Sequence, residues 1–146
     1  MKSAVEKHVN NFDVLIMAAA VADFRPAKQS KEKIKKEDGF QTINLEKTSD
    51  ILADLNQKKS NSGKRRVVRV GFALETDNEE KNAAKKLTAK GLDMIVLNSL
   101  RDAESGFEFD TNKIKIINRK NQVAEFPLMS KFQAANRILT ELGKLL

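Results

Sequence analysis

The longest apolar run, Val14-Leu15-Ile16-Met17-Ala18-Ala19-Ala20-Val21-Ala22, stops at Asp23 and predicts a strand buried on both faces in the middle of a sheet. Val67 to Leu74, ending at Glu75-Thr76, and Asp93 to Leu97, followed by Asn98, read in the same way. Other blocks carry helical spacing. Ala4, Val5, Val9 and Phe12 mark a first amphipathic helix; Ile51, Leu52 and Leu55 mark a second, which Thr48 or Ser49 is placed to cap. Ala83, Ala84 and Leu87 mark a third, which Thr76 and Glu79 open with capping-box spacing and Gly91 stops after Lys90. Ser130 to Leu146 closes the chain as an amphipathic helix. Strict alternation occurs in Gln41 to Glu46, with Ile43 and Leu45 on one side, and in Lys113 to Ile117 and Gln122 to Phe126, which flank Asn118 to Asn121 as a hairpin. Strand alternating with helix predicts an α/β fold, a mainly parallel sheet flanked by helices with an antiparallel edge hairpin.

Between these blocks the chain is polar. Pro26 ends regular structure, and Lys28 to Gly39, with Lys28, Lys31, Lys33, Lys35 and Lys36 around Glu32, reads as an exposed, mobile loop. Lys58 to Arg66 reads as a surface turn. The 146 residues fit one domain spanning 1–146. Composition then removes whole classes of chemistry. With no cysteine there is no disulfide, thiolate metal site or cysteine nucleophile, a usage that fits a reducing cytosol. The single histidine, His8, lies on the flank of the first helix, so a histidine triad or histidine metal cluster has no material. No apolar stretch reaches the length of a membrane span, and the first residues lack the apolar core of a secretion signal; a cytoplasmic protein is expected.

Lys plus Arg number 27 against 20 Asp plus Glu, a formal charge of +7 that points to anionic partners. The Gly-Lys pair at Gly63-Lys64 fails the phosphate-loop pattern, because Lys58 stands where its first glycine belongs and Arg65 where its hydroxyl belongs. No G-x-G-x-x-G occurs among the 6 glycines. A bound phosphate must therefore meet side chains and helix ends. Lys81 with Lys85, and Lys86 with Lys90, are spaced to project paired ammonium groups from one helix face. Such like-charged pairs cost about 0.2–0.5 kcal/mol unless an anion lies between them, and a solvated face opposite Ala83 and Leu87 is the plainer explanation. The Lys28 to Lys36 cluster follows a strand end, where flexible point charges can close over a polyphosphate or simply solubilise a loop. Asp23 can accept from a ribose or an amine, or cap the turn. The alanines before it let a ligand, or a packed helix, come close to the strand's carboxyl end.

Taken together, Ala18-Ala19-Ala20-Val21-Ala22-Asp23-Phe24-Arg25-Pro26, Lys33-Ile34-Lys35-Lys36, Lys47-Thr48-Ser49-Asp50-Ile51-Leu52, Val70-Gly71-Phe72-Ala73-Leu74-Glu75-Thr76 and Leu92-Asp93-Met94-Ile95-Val96-Leu97-Asn98 resemble phosphopantothenate-cysteine ligase, in bacteria usually the C-terminal half of the bifunctional coenzyme A biosynthesis flavoprotein. The order and spacing hold from about Val14 to Asn112. The resemblance implies a Rossmann-like fold and a reaction in which CTP activates the carboxylate of 4'-phosphopantothenate as an acyl-cytidylate, from which cysteine nitrogen displaces CMP. It implies that Lys33 is the essential lysine and that Asp23 contacts the nucleotide. Ala19, Ala20, Ser49, Asp50, Ile51, Leu52 and Phe72 would line the nucleotide pocket, and Lys86 and Lys90 would meet its phosphates. It further implies Mg²⁺ with the triphosphate, a homodimer whose site draws on the partner subunit, and FMN only in a decarboxylase domain that this sequence does not contain. No acidic cluster marks a metal site held by the protein alone.

Two departures stand out. Ser49 occupies a position where the family commonly has proline, which alters how the following helix begins. The family's glycine-rich first strand and turn, with the asparagine that helps hold the acyl-cytidylate, have no counterpart, since Met1-Lys2-Ser3-Ala4-Val5 resembles the middle of the ligase domain. The chain is thus expected to match an N-terminally truncated ligase domain. A basic nucleic-acid-binding module is the competing reading, carried by the charge and by Lys28 to Lys36 and Lys58 to Arg69. The lack of Trp and Tyr leaves it few rings on which to stack bases. A redox dinucleotide-binding domain fails on the missing glycine fingerprint.

Overall fold

The computed structural model describes residues 1–30, 32, 33, 35, 42–57, 66–75, 77–99 and 109–146. In these, β1 (Val14–Met17), β4 (Val68–Glu75), β5 (Met94–Ser99), β6 (Thr111–Asn118) and β7 (Val123–Ser130) form a five-stranded sheet in the order β1-β4-β5-β6-β7. β1, β4 and β5 run parallel, and β6 and β7 are added antiparallel, as the patterning predicts. β2 (Phe24–Pro26) and β3 (Leu45–Lys47) pair antiparallel as a separate ribbon. Helices α1 (Lys2–His8), α2 (Ile51–Gln57), α3 (Glu79–Ala89) and α4 (Lys131–Gly143) surround the sheet.

β5 shows why an unbroken apolar run can be a strand. Its alternate residues feed two cores: Ile95 and Leu97 join Leu52, Ala83 and Leu87 under α2 and α3, while Met94 and Val96 join Ala134, Ile138 and Leu142 under α4. A smaller cluster of Val9, Ile51 and Leu55 seats α1 against α2. His8 ends α1 exposed, away from any core.

Several expectations are corrected. The Val14 to Ala22 run is an edge strand that ends at Met17; from Ala18 the chain leaves the sheet. Pro26 does end regular structure, as the last residue of β2, where it pairs with Leu45; the ribbon itself is what patterning missed beyond the Gln41 to Glu46 alternation. Ile43 and Leu45 do share the same fate, both being exposed. The cap of α2 is Asp50, whose Oδ1 accepts from the Ala53 amide at 3.1 Å, rather than Thr48 or Ser49. At the N-cap of α3 stands Asn78, with φ 45°, a left-handed conformation that asparagine tolerates. Thr76, the expected cap, lies outside the described residues, as do residues 31, 34, 36–41 and 58–65 of the two lysine-rich segments. Gly91 does stop α3: its φ is 60°, and the Leu92 amide donates to the Leu87 carbonyl at 2.9 Å. Asn98 belongs to β5 itself, and the hairpin strands extend to Thr111 and Ser130. Ser130 caps α4 in a reciprocal arrangement with Gln133.

Candidate active site

At the carboxyl ends of β1 and β4 lies a cavity of about 230 Å³. Open α/β sheets bind ligands at this end, where strand termini and helix N-termini converge. One wall is the chain after β1: Ala19, Ala20, Val21, Ala22 and Asp23. The Thr48 hydroxyl donates to the Ala22 carbonyl, and the Thr48 amide donates to the Asp23 carbonyl at 2.9 Å. The opposite wall, Ser49, Asp50, Ile51 and Leu52 at the start of α2, is thereby stitched to the alanine segment. Phe72 of β4 forms the floor and Lys90, at the end of α3, the far rim.

The charges are paired. Lys90 Nζ lies 2.9 Å from Asp50 Oδ2, and Lys86 Nζ lies 2.6 Å from Glu75 Oε1. Burial tends to raise the Asp50 pKa, but the Lys90 ammonium and the Ala53 and Leu52 amides outweigh it and hold the carboxyl below its ordinary value. Asp50 is therefore ionised at neutral pH and keeps Lys90 turned to the cavity edge. The Glu75 side chain is only 12% exposed, so it fixes Lys86 beside the strand end, while Asn82 Nδ2 bridges Glu75 Oε2 at 3.4 Å and the Asp77 carbonyl at 2.8 Å.

The structure thus brings together Ala19, Ala20, Asp23, Ser49, Asp50, Ile51, Leu52, Phe72 and Lys90. Lys86 stands one turn before Lys90, on Glu75 rather than on the cavity wall. The two lysines do not form the paired cationic face that their spacing suggests, since each has its own carboxylate. Lys33 is exposed beyond β2 and does not line the cavity. Patterning missed Thr48 as the stitch and Glu75 as the partner of Lys86, because neither contact has a signature in residue spacing. A second cavity, of about 400 Å³, adjoins the first across Met17, Ala19, Ala20 and Phe72 and extends to Asn98, Asn112 and Lys131. Among the described residues no group of three acidic or histidine side chains could hold a metal by itself, and no helix is long and apolar enough to cross a membrane.

A mainly parallel sheet flanked by helices, with a small-residue segment and a cation meeting at the strand ends, defines an open α/β fold, a class that takes its ligands at this end of the sheet. The chain belongs, more particularly, to the family described as DNA/pantothenate metabolism flavoprotein, C-terminal domain, whose model matches residues 1–145. It is 46% identical over 142 residues to a cysteine/cysteine sulfinic acid decarboxylase from an unknown prokaryotic organism, covering 97% of this chain and 38% of that protein. It is 41% identical over 145 residues to the coenzyme A biosynthesis bifunctional protein CoaBC of Bacillus subtilis strain 168, covering 99% of this chain and 34% of that protein. Among solved structures, the C-terminal domain of a coenzyme A biosynthesis bifunctional protein CoaBC superposes with a TM-score of 0.75 at 35% identity, over 99% of this chain and 60% of that one. The chain spans about a third of the length of these curated relatives.

Proposed function

We propose that this chain is the nucleotide-binding part of a CTP-dependent ligase that joins 4'-phosphopantothenate to cysteine in coenzyme A biosynthesis. The observation that carries the reading is the single cavity in which Ala19, Ala20, Asp23, Ser49 to Leu52, Phe72 and Lys90 meet from separate segments of the chain. In this reading the substrate carboxylate attacks the α-phosphorus of CTP and pyrophosphate leaves; cysteine nitrogen then attacks the acyl carbon and CMP leaves. Charge builds on the phosphates in the first step, and Lys90 at the cavity rim, with Lys86 one turn before it, supplies the positive charge that offsets it. Lys90 can exchange Asp50, whose side chain is 45% exposed, for a phosphate oxygen without stranding a buried charge, whereas Lys86 stays on the 12% exposed Glu75 and acts through its field.

A triphosphate-borne Mg²⁺ fits the donor set, since such an ion needs only one or two protein carboxylates beside the phosphates, and Asp23 and Asp50 both line the cavity. When bound, it neutralises phosphate charge. FMN belongs, in this reading, to a decarboxylase domain outside the sequence, and the decarboxylase name of one relative is that of a chain of which 38% is matched. The protein acts in the cytoplasm as a homodimer: Phe24, Leu45 and Ile43 on the β2–β3 arm are 51%, 59% and 69% exposed, an apolar surface suited to a second copy. Lys33, which does not line the cavity of its own subunit, serves that of the second.

Calorimetric titration with CTP and Mg²⁺, run beside ATP and repeated on a Lys86→Ala, Lys90→Ala double variant, tests the reading. Saturable CTP binding that the double variant loses is the expected result. Graded, salt-sensitive binding of DNA, reduced in proportion to charge removed, would instead establish the nucleic-acid module.

A further inference from the structure

A third cavity, of about 420 Å³, opens at the amino-terminal end of the parallel strands, where Val68 begins β4 and Met94 begins β5, and takes no part in the proposed reaction. The β6–β7 turn forms one wall and the carboxyl end of α4 another. Its charges do not balance. Four cations, Arg66, Arg119, Lys120 and Lys144, meet two carboxylates, Asp93 and Glu141. Glu141 answers Lys144 at 2.6 Å, but Asp93, with a side chain 8% exposed, carries Arg66 and Arg119 on the one oxygen Oδ1 while the Arg69 amide occupies Oδ2. Lys120 has no ion pair among the described residues. Two positive charges are thus left without a partner. Arg69 registers the same excess from the opposite face of β4: burial lowers its pKa, Asp93 raises it, and Arg119 and Arg66 lower it again. The carboxyl end of α4 adds only about −0.5 of a charge, so the balance stays cationic. Below the charges the wall is apolar, with Val68, Ile116 and Ala124 at its base and Val123 and Leu145, 46% and 37% exposed, at its rim.

We propose that this cavity binds a phosphate monoester with a compact apolar body. Two uncompensated cations match such an ester, which carries about −1.5 to −2 charge at neutral pH, better than a carboxylate, which carries one. Arg66 engages Asp93 through Nη2, which leaves the other edge of its guanidinium to meet a phosphate oxygen, and Lys120 adds a movable point charge. Arg119 is the fixed member of the group, since its Nε donates to the Leu92 carbonyl at 2.9 Å and its Nη2 to the Gly91 carbonyl at 3.3 Å. The body of the ester then covers Val123 and Leu145, whose exposure is otherwise uncompensated. The volume lies within the roughly 300–1,000 Å³ of small-molecule sites. None of the lining residues belongs to the nucleotide cavity, so the site stands or falls apart from the ligase reading.

The test titrates phenyl phosphate into the full chain and follows the backbone amide NMR shifts. Saturating shifts are expected at Lys120, Val123, Ala124, Lys144 and Leu145, and none at Ala19, Ala20 or Asp50. Inorganic phosphate, which lacks the body, and benzyl alcohol, which lacks the charge, should each bind roughly tenfold more weakly or worse. An Arg66→Gln, Lys120→Gln double variant should lose roughly tenfold in phenyl phosphate affinity, and Arg66→Lys, Lys120→Arg should keep most of it. Both positions are exposed, and the amide spectrum itself reports that each variant is folded. Inorganic phosphate bound as tightly as phenyl phosphate overturns the ester assignment. Shifts that fall in the nucleotide cavity, shifts that spread over the surface lysines without saturating, or full affinity in the glutamine variant overturn the site.

Discussion

Among single residues, Asp93 carries the most structure. It is 6% exposed, accepts from the Arg69 amide at 2.9 Å, and is ion-paired with Arg119, whose Nε lies 2.9 Å away, and with Arg66. Its own amide donates to the Arg69 carbonyl at 2.8 Å, and its carbonyl accepts from the Arg119 amide at 3.1 Å. One carboxylate thus ties the start of β4, the start of β5 and the β6–β7 turn. The Arg66 and Arg119 side chains are 62% and 45% exposed, so water can serve them if Asp93 is removed. Asp93→Ala should therefore cost about 1–3 kcal/mol for the orphaned Arg69 amide, below the roughly 3–5 kcal/mol of breaking a fully buried pair. Urea denaturation measures the loss. Because Asp93 sits at the opposite end of the parallel strands from the cavity, CTP affinity under native conditions should not change. A stable variant that fails to bind CTP would show that the two ends of the sheet are coupled.

At the level of elements, the readable parts were those where one physical rule acted alone. β4 and β5 are long and apolar, β5 with its apolar residues buried in two cores, and α4 has both its stripe and its cap, so their residues announce them. The alanine run shows the limit. Val14 to Ala22 is apolar throughout, but apolar character serves a strand and a cavity wall equally, and only the pairing with β4, which ends at Met17 and Gly71, separates them. β2 was illegible for a different reason: three exposed residues including a proline have no periodicity, and what makes them a strand is their pairing with β3, far along the chain, where Arg25 Nε also meets Glu46 at 2.7 Å. The residues that meet in the first cavity were named through their likeness to a family, while the carboxylate partners of Lys86 and Lys90 depend on tertiary contacts that spacing does not encode. Gly91, in contrast, is a helix stop that spacing does encode, and it permits a sharp test. Its left-handed backbone costs a residue with a Cβ about 1–2 kcal/mol, and a Cβ placed there would lie 2.1 Å from Asn56 Oδ1, the tip of a movable side chain. Gly91→Ala should lose about that much stability in chemical denaturation and Gly91→Asn less, because asparagine tolerates the conformation. Equal losses would make the contact with Asn56, rather than φ, the controlling term.

For the molecule as a whole, Lys33, exposed and not among the residues that line the cavity, most constrains how the proposed ligase could work. An isolated two-stranded ribbon is marginal in water, and the β2–β3 arm, stitched at one end by Thr48, presents Phe24, Leu45 and Ile43 to solvent. A second copy of the chain offers a partner for that apolar surface and, in the same step, a cavity for Lys33. The two roles make a prediction about mixtures. Chains carrying Lys33→Ala retain an intact cavity wall, and chains carrying Lys90→Ala retain an intact Lys33. Each homodimer has both of its sites impaired, but a mixed dimer has one site in which the unaltered Lys90 of one subunit meets the unaltered Lys33 of the other. Unfolding and refolding the two variants together should recover tight CTP binding that neither shows alone, read by calorimetry, and the recovery should vanish when the two are mixed too dilute to associate. If the mixture binds no better than the sum of its parts while each variant remains dimeric by sedimentation, Lys33 serves its own subunit.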